Sequence, residues 1–248
     1  MRIAALYDVH GNLPALEAVL RDVREAAVDQ VIVGGDVFPG PMPRETLERL
    51  LGLDLPVHFI RGNGDREVLT RMRGEESTTV PEPYREAMGW VAAALDPAHE
   101  ALLAAWPGTL RFDALESGPV LFCHATPRSD SEIFTRLTAE ERLLPVFDPA
   151  GVPLVVCGHT HMQFDRMIGR TRVVNAGSVG MPFGDPRACW LLLGPDVELR
   201  QTSYDVESAA VRMQATGYPG AADFVRKYIL RPPAEAEMLE VFGKAELR

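Results

Sequence analysis

Two histidines separated by one residue, His159 and His161, follow a short apolar run at residues 155–157. A short apolar run is typical of a buried strand, and Gly158 predicts a turn directly after it. Two imidazoles in such a turn could point at two neighbouring metal ions. A His-x-His pair can also arise by chance on a protein surface, so the ends of the other strands decide between these interpretations.

Five apolar runs in the sequence end in side chains that commonly bind metal ions. These side chains are Asp8, His10, Asp36, Asn63, His124, His159 and His161. Two carboxylates, one amide and four imidazoles exceed the four ligands of a tetrahedral zinc site. The set predicts two divalent transition-metal ions, with manganese expected and iron, zinc, nickel or cobalt as alternatives. His58, within a strand, and His99, within a helix, are predicted to be structural.

Two metal ions close together suit chemistry at phosphorus. A pair of ions about 3.5 to 4 Å apart clamps both the attacking and the leaving oxygen of an in-line displacement. The single carboxylate of Asp36, directly after Gly35, is the natural bridge between two such ions. The sequence therefore predicts a metal-dependent phosphoric ester hydrolase acting on a small phosphoester substrate.

The elements that must position these residues begin with alternating strands and helices. Strands are predicted at 3–7, 30–33 and 56–60, with one helix after Asn12 and a second at 43–51. Strands that alternate with helices predict a largely parallel sheet, and ligands gather at the carboxyl ends of its strands. The first four metal-binding candidates all follow such strand ends.

The remaining chain departs from this alternation. Residues 66–108 predict helices at 66–73, 84–95 and 99–106, which would form an inserted helical subdomain or cap. Residues from 109 onward predict mainly β-structure, with a helix at 139–147 and a turn at Ser117 and Gly118. The predicted strands are 110–114, 120–123, 153–157, 163–168, 171–175, 189–193 and 197–204. A helical tail, 206–248, completes one predicted domain over residues 1–248.

Composition narrows the class of protein. The 248 residues carry a formal net charge of -10, with 46% hydrophobic and 24% charged residues, as in an ordinary globular protein. This acidic balance provides no strong nucleic-acid-binding signature. Three scattered cysteines suggest no disulfide framework, and no apolar run reaches the length of a membrane span. We therefore expect a cytoplasmic protein without membrane contact.

The ordered motifs resemble those of a known family, the calcineurin-like metallophosphoesterases. The matching motifs are Asp8-x-His10, Gly35-Asp36, Gly62-Asn63, His124 and Gly158-His159-x-His161. Residues 8–16, 124–128 and 175–180 further resemble the YfcE-like phosphodiesterase branch. The resemblance extends to about residue 204. It implies an α/β fold, a four-layer α/β/β/α sandwich of two mixed β-sheets, here with a helical insertion.

The resemblance also implies how the metal ions would be bound. The first ion would be held by Asp8, His10, Asp36 and His161. The second would be held by Asp36, Asn63, His124 and His159. Asp36, Asn63 and His124 are the expected catalytic residues, and a metal-bridging hydroxide is the expected nucleophile. The branch favours homo-oligomers, although the sequence itself leaves the oligomeric state open.

One position departs from the family pattern. Many members carry a histidine after the asparagine, where it can protonate the leaving group, but this chain has Gly64. Loss of a general acid typically costs about 10² to 10⁴ in rate. We therefore expect phosphodiesters to be preferred. The alternatives are a phosphomonoesterase acting on nucleotides or small phosphates, and a non-catalytic scaffold of the same fold.

Several polar residues near the motifs have two interpretations each. Asn12 could contact substrate or cap the first helix, and Arg128 could bind a phosphate oxygen or pair with a surface carboxylate. Asp65 could orient a ligand histidine or cap the following helix. Asn175 and Ser178 are predicted to satisfy the backbone of a turn near the site.

Overall fold

A computed structural model of the protein describes residues 1–78, 80–113 and 118–247. The strands are β1 (Ile3–Leu6), β2 (Gln30–Val33), β3 (Val57–Phe59), β4 (Thr109–Phe112), β5 (Val120–Cys123), β6 (Leu154–Cys157), β7 (Phe164–Ile168), β8 (Thr171–Asn175), β9 (Ala188–Leu193) and β10 (Val197–Thr202). The helices are α1 (Leu13–Glu25), α2 (Pro43–Leu51), α3 (Asn63–Met72), α4 (Glu82–Ala94), α5 (Pro97–Ala105), α6 (Glu140–Phe147), α7 (Val206–Gln214), α8 (Ala221–Phe224) and α9 (Glu235–Gly243). The end of the predicted strand at Ala114 and the predicted turn at Ser117 lie outside the described residues.

The strands form two five-stranded mixed sheets. The first has the order β10-β9-β1-β2-β3, and the second has the order β4-β5-β6-β8-β7. In the first sheet β1, β2 and β3 run parallel, whereas β9 and β10 pair in antiparallel fashion. In the second sheet β5, β6 and β8 run parallel, and β4 and β7 are antiparallel edge strands. The prediction of two mixed sheets is confirmed.

The sheets pack face to face because their central strands are apolar on both sides. Ile3 and Ala5 of β1, and Tyr7 directly after it, face the second sheet, whereas Ala4 and Leu6 face the outer helices. This alternation follows from the two-residue period of a strand. Helices α1 to α5 cover the outer face of the first sheet, and α6 covers that of the second. The predicted four-layer sandwich is therefore present.

The segment predicted as a helical insertion contains α3, α4 and α5. Its buried residues Val91, Leu103 and Trp106 belong to the same hydrophobic core as α1 and α2. Helix α3 begins at Asn63 and not at residue 66 as predicted, because Gly62 serves as its N-cap and the Asp65 carboxylate accepts the Gly62 N–H. Asn63 is thus held by the first turn of a helix.

The C-terminal tail contains α7 and α8, a π-helical segment at Val225–Leu230, and α9. Ala210, Met213 and Ile229 belong to a small hydrophobic cluster of the tail, while Tyr218 packs against the main core. Among the described helices, none has the combination of length and apolar character that crossing a membrane requires. The extent of the single domain, 1–248, stays a prediction.

Candidate metal centre

The site lies at the carboxyl ends of strands from both sheets. Strands β1 and β2 lead to Asp8, His10 and Asp36, and α3 begins with Asn63. Strand β5 leads to His124, and β6 leads to His159 and His161. The structure brings all seven predicted ligands together at this edge, as the contacts below show.

His10 and His161 face each other through their Nε2 atoms, which lie 3.2 Å apart. His10 Nδ1 lies 3.2 Å from the carbonyl oxygen of Pro39, and His161 Nδ1 lies 2.8 Å from that of Met181. Because a carbonyl oxygen only accepts hydrogen bonds, each Nδ1 carries a proton, and in the neutral ring each Nε2 presents a lone pair. Two ligands bonded at about 2.1 Å to one ion lie roughly 3.0 to 3.4 Å apart. The pair thus has the spacing of two ligands of one metal ion.

Asp8 presents one carboxylate oxygen to the site and anchors the other. Its Oδ2 accepts the backbone N–H of His159 at 2.8 Å. Its Oδ1 is buried and makes no hydrogen bond within the described chain, although it lies 3.4 Å from His161 Nε2 and 3.8 Å from His124 Nε2. A buried carboxylate oxygen without a partner is costly. Oδ1 of Asp8 is therefore suited to a metal ion.

Asp36 lies between two sets of histidines. Its Oδ1 accepts the N–H of Gly64 at 2.7 Å. Its Oδ2 is 3.9 Å from His10 Nε2 and 3.6 Å from His124 Nε2. Burial, and then the charge of Asp8, raises the pKa of Asp36 well above its usual range. This position is the one that a bridging ligand needs, and the bridging role itself stays a prediction.

His124, His159 and Asn63 form the other side of the site. His124 Nδ1 lies 3.0 Å from the carbonyl oxygen of Gly34, so its Nε2 faces inward. That Nε2 is 3.1 Å from the side-chain amide of Asn63, and His159 Nδ1 is 3.0 Å from the same end of this amide. One end of the Asn63 amide and two imidazole nitrogens therefore converge on one point.

The carboxylates and histidines form two compact groups. Asp8, His10 and His161 each place a ligand atom within 4.8 Å of the others, and so do Asp8, Asp36 and His124. Asp8 is common to both groups, whereas the family resemblance expects Asp36 to be shared. The centre of the site therefore contains both carboxylates, each close to histidines of the two sides.

Most of these residues have a left-handed backbone, which is unfavourable for residues other than glycine. Positive φ angles occur at Asp8 (54°), His10 (47°), Asp36 (49°), His159 (66°) and His161 (58°). Elsewhere in the described chain, only two other non-glycine residues share this conformation. Such strain costs on the order of 1 to 3 kcal/mol per residue and clusters at functional sites. Its concentration here points to a functional site.

Burial and charge set the protonation of the histidines. Burial, reinforced by the charge of His161, lowers the pKa of His10 to about 3. Burial, reinforced by His124, lowers the pKa of His159 to about 3. Burial also acts on His161 and Asp8, but their mutual attraction prevails and raises the pKa of His161 while lowering that of Asp8. Neutral imidazole is the form that binds a metal ion.

Asp65 holds the backbone around the site in place. It is completely buried, and its carboxylate accepts the backbone N–H groups of Asp36 at 2.8 Å, Phe38 at 3.1 Å and Gly62 at 3.0 Å. Burial, and then the charge of Asp36, raises the pKa of Asp65 to about 8. Of its two predicted roles, capping α3 is the one observed. Asp65 also fixes the backbone that carries Asp36.

The structure explains why residue 64 is glycine. A Cβ atom at Gly64 would lie 2.4 Å from the carbonyl oxygen of Phe38 and 3.0 Å from both Asp36 Oδ1 and Pro39 Cδ. These distances are shorter than van der Waals contact, and the nearest atom belongs to the backbone. The space that a family-type histidine would need is filled by residues 38 and 39.

Asn12 has no exposed surface. Its Oδ1 accepts the N–H of Ala15 at 3.1 Å, and its Nδ2 donates to the Gly180 carbonyl at 2.9 Å and the Tyr204 hydroxyl at 3.2 Å. Capping of α1 is therefore the observed alternative. The whole amide is engaged by protein atoms, and contact of Asn12 with substrate stays a prediction.

Asn175 and Ser178 support the turns around the site. Asn175 Nδ2 donates to the carbonyl of Gly158 at 2.6 Å. Ser178 Oγ donates to the carbonyl of Asp8 at 2.7 Å and accepts the N–H of Met181 at 2.7 Å. Both residues satisfy turn backbone, as the sequence predicted.

Arg128 lies on the surface beside the site. Its guanidinium forms a two-pronged ion pair with Glu132, at 2.7 Å from Nη2 and 3.0 Å from Nε, and the side chain is 51% exposed. Among the described residues, no hydrogen bond engages Nη1. Arg128 and Arg61 line a cavity of 530 Å³ together with Asp130, whose carbonyl oxygen is 3.2 Å from the Asn63 amide.

The sequence did not reveal the groups that orient the histidines. The carbonyl oxygens of Gly34, Pro39 and Met181 fix the three ring tautomers. Every residue type has a backbone carbonyl, so no pattern of side chains could have identified these positions.

Known proteins share both the sequence pattern and the fold. Phosphodiesterase YfcE of Escherichia coli strain K12 is 26% identical over 206 residues, which cover 79% of this chain and 89% of that protein. A metallophosphoesterase from Sphaerobacter thermophilus superposes with a TM-score of 0.70 at 26% identity, covering 91% of this chain and 98% of that chain. A hypothetical protein from Pyrococcus horikoshii OT3 shares the fold with a TM-score of 0.78 at 19% identity, covering 93% and 99%. Residues 1–196 match the calcineurin-like phosphoesterase superfamily domain. This match spans more than half of the chain, and the protein therefore belongs to the calcineurin-like phosphoesterase superfamily.

Proposed function

We propose that this protein is a dinuclear, divalent-metal-dependent phosphodiesterase. The observation that supports it is the convergence of unshared lone pairs, above all the orphaned Oδ1 of Asp8 beside the Nε2 atoms of His161 and His124. Hydrogen bonds between Nδ1 and carbonyl oxygens turn both of these Nε2 atoms toward the site. A divalent cation can accept several converging lone pairs at once, whereas a single water molecule has only two hydrogens to donate.

The two sides of the site suggest how two ions would be divided. One ion would be held by Asp8, His10, Asp36 and His161, and the other by Asp36, Asn63, His124 and His159. The bridging role proposed for Asp36 is supported by Oδ2, which lies 3.9 Å from His10 Nε2 and 3.6 Å from His124 Nε2. Mixed oxygen and nitrogen ligands suit manganese, with iron, zinc, nickel or cobalt as alternatives. When bound, such ions supply a water activated near neutral pH and neutralise charge on the phosphoryl oxygens.

The side chains of this site are held in place before any substrate arrives. The N–H of Gly64 holds one oxygen of Asp36, and the N–H of His159 holds one oxygen of Asp8. Carbonyl oxygens fix the rings of His10, His124 and His161. Ligands that are already oriented need no reorganisation during the reaction, which is a main source of catalytic power.

The preference for diesters rests on the glycine at position 64. This position offers no general acid, and a Cβ there would meet the Phe38 carbonyl at 2.4 Å. A leaving group of low pKa departs without protonation, whereas a simple alkoxide does not. The relative YfcE is named a phosphodiesterase, which agrees with this preference.

The test compares wild-type protein with Asp36→Asn after chelation and reconstitution with Mn²⁺. We expect two manganese ions per wild-type chain by elemental analysis and metal-dependent hydrolysis of bis-p-nitrophenyl phosphate. Asp36→Asn should lose at least about 10²-fold of this activity, because the weaker amide ligand cannot replace a shared carboxylate. Asp185→Asn, which alters an exposed carboxylate paired with Arg187, is the matched control and should retain full activity.

The rate on p-nitrophenyl phosphate separates the diesterase from a monoesterase. A faster reaction with this monoester would contradict the argument from Gly64 and favour the monoesterase. A protein that binds two metal ions but hydrolyses neither ester would be a scaffold of the same fold. One ion per chain would overturn the dinuclear proposal.

A further inference from the structure

We propose that the cavity beside His10 is a subsite for a nucleobase, so that the substrate is a phosphodiester with a nucleoside substituent. This cavity has a volume of 360 Å³ and is lined by His10, Tyr84, Tyr218, Phe224 and Tyr228 among others. We call it the aromatic cavity. The inference rests on the proposed function, because the substituent must be attached to a phosphate at the metal centre.

The aromatic cavity lies directly beside the candidate metal centre. His10 and Pro39 belong to its wall, and the same two residues are joined by the hydrogen bond that orients the His10 ring. Met181, whose carbonyl orients His161, also lines it. A phosphate held at the metal centre would therefore extend one of its substituents directly into this cavity.

The aromatic residues of the wall come from the helical insertion and the C-terminal tail. Tyr84 belongs to α4, whereas Tyr218, Phe224 and Tyr228 belong to the C-terminal tail. The superfamily match ends at residue 196, so the tail residues lie beyond it. This arrangement adds a specificity pocket to the metal site of a shared domain.

The aromatic rings of the cavity wall pack against one another. The ring centroids of Tyr218 and Phe224 lie 5.7 Å apart, and those of Phe224 and Tyr228 lie 5.5 Å apart. Trp90 holds the far side of Tyr218 at 5.5 Å, edge to face. Rings packed in this way lose little further freedom when a flat ligand stacks on them. The aromatic cavity is therefore preformed for a planar ring.

Polar groups in the cavity favour a base over a plain hydrocarbon ring. Within the described residues, the hydroxyls of Tyr84, Tyr218 and Tyr228 make no hydrogen bonds, and Lys227 forms no ion pair. Burial, and then the neighbouring Tyr228, raises the pKa of Tyr218 to about 12, so its hydroxyl remains a donor. Asp223, by contrast, pairs with Arg226 at 2.8 Å. Unpaired donors and acceptors around stacked rings suit the nitrogen and oxygen atoms of a nucleobase.

Equilibrium dialysis tests this inference without using activity. Adenosine 5′-monophosphate and ribose 5-phosphate carry the same phosphate and sugar, so their ratio of affinities for the chelated protein isolates the base. We expect the nucleotide to bind about tenfold more tightly, the usual effect of one stacked base. Both ligands should also inhibit hydrolysis of bis-p-nitrophenyl phosphate by the reconstituted protein, in the same order.

Variants of Tyr84 make the test specific to the cavity. Tyr84 is 56% exposed, so its replacement should not disturb folding. Tyr84→Ala should bring the affinity ratio close to one, while Tyr84→Phe should keep most of it because the ring remains. Leu137→Ala, at a residue 69% exposed and not among the cavity walls, is the control and should leave the ratio unchanged.

The outcomes separate this inference from the proposed function. Equal binding of the two ligands to the wild type, or an unchanged ratio in Tyr84→Ala, would overturn the subsite. Phenyl phosphate binding as tightly as the nucleotide would overturn the assignment to a nucleobase. A protein that prefers the nucleotide but hydrolyses no ester would retain the subsite and lose the proposed function. Diester hydrolysis without a preference for the nucleotide would retain the proposed function and overturn the subsite.

Discussion

The Nε2 atoms of His10 and His161 lie 3.2 Å apart, and the backbone holds both rings with these atoms facing each other. Two carbonyl oxygens, from Pro39 and Met181, enforce this orientation. Without a metal ion, a proton on His161 is favoured by the nearby Asp8 carboxylate, which raises the pKa of His161. A metal ion would displace this proton and bind both Nε2 atoms at once.

Because these ligands converge only in the folded chain, metal binding predicts a gain in stability. Mn²⁺ at about 100 times its dissociation constant should raise the free energy of unfolding by about 2.7 kcal/mol. His161→Ala should remove most of this gain, because one ligand is lost. Thermal unfolding with and without Mn²⁺ measures the difference. His58→Gln, in β3 and outside the site, should keep the full gain; an equal gain in His161→Ala would contradict the assignment.

The seven candidate ligands were readable from the sequence because each follows an apolar strand in a fixed local pattern. A short apolar run indicates a buried strand, and the carboxyl ends of parallel strands lie at the same edge of the sheet. The backbone conformation of Asp8, His10 and Asp36 was not readable. Left-handed backbone at a non-glycine residue depends on hydrogen bonds from distant segments, such as that between the His10 N–H and the Asp36 carbonyl.

The close contacts of Gly64 predict that a side chain there is harmful. Gly64→Ala should destabilise the fold by about 1 to 3 kcal/mol, because its Cβ would overlap the Phe38 carbonyl. Gly64→His should likewise lose activity and not gain monoesterase activity, because Asp36 would be displaced. Thermal unfolding and rates on both p-nitrophenyl esters measure these effects. Gly243→Ala, where a Cβ meets no atom within 4 Å, should be tolerated; faster monoester hydrolysis by Gly64→His would refute the steric argument.

Asp65 accepts three backbone N–H groups, so even the isosteric substitution Asp65→Asn is expected to destabilise the protein. Asp65→Asn replaces one carboxylate oxygen by an NH₂ group that faces a backbone donor, which should cost about 1 to 3 kcal/mol. Activity should fall as well, because the backbone of Asp36 shifts. Asp205→Asn is the matched control. Asp205 caps α7 by accepting the Ser208 N–H at 2.9 Å, a role that asparagine fills equally well. Equal melting temperatures for both variants would contradict the role of Asp65.

The aromatic cavity could not be predicted from the sequence. The helices of the insertion and the tail were each predicted from local pattern, but the cavity is lined by Tyr84 together with tail residues more than a hundred positions away. The start of α3 at Asn63 was missed for a related reason. Its cap depends on the Asp65 carboxylate, which also binds backbone from residues 36 and 38.

Nε and Nη2 of Arg128 engage Glu132, which leaves Nη1 available for a phosphate oxygen. If Nη1 contacts a phosphate oxygen, Arg128→Gln should raise KM for bis-p-nitrophenyl phosphate about tenfold at low salt and leave kcat nearly unchanged. The melting temperature should barely move, because exposed ion pairs contribute about 0 to 1 kcal/mol. Arg172→Gln is the matched control, since Arg172 forms the same two-pronged pair with Asp165. An unchanged KM in Arg128→Gln would leave the surface ion pair as the whole role of this residue.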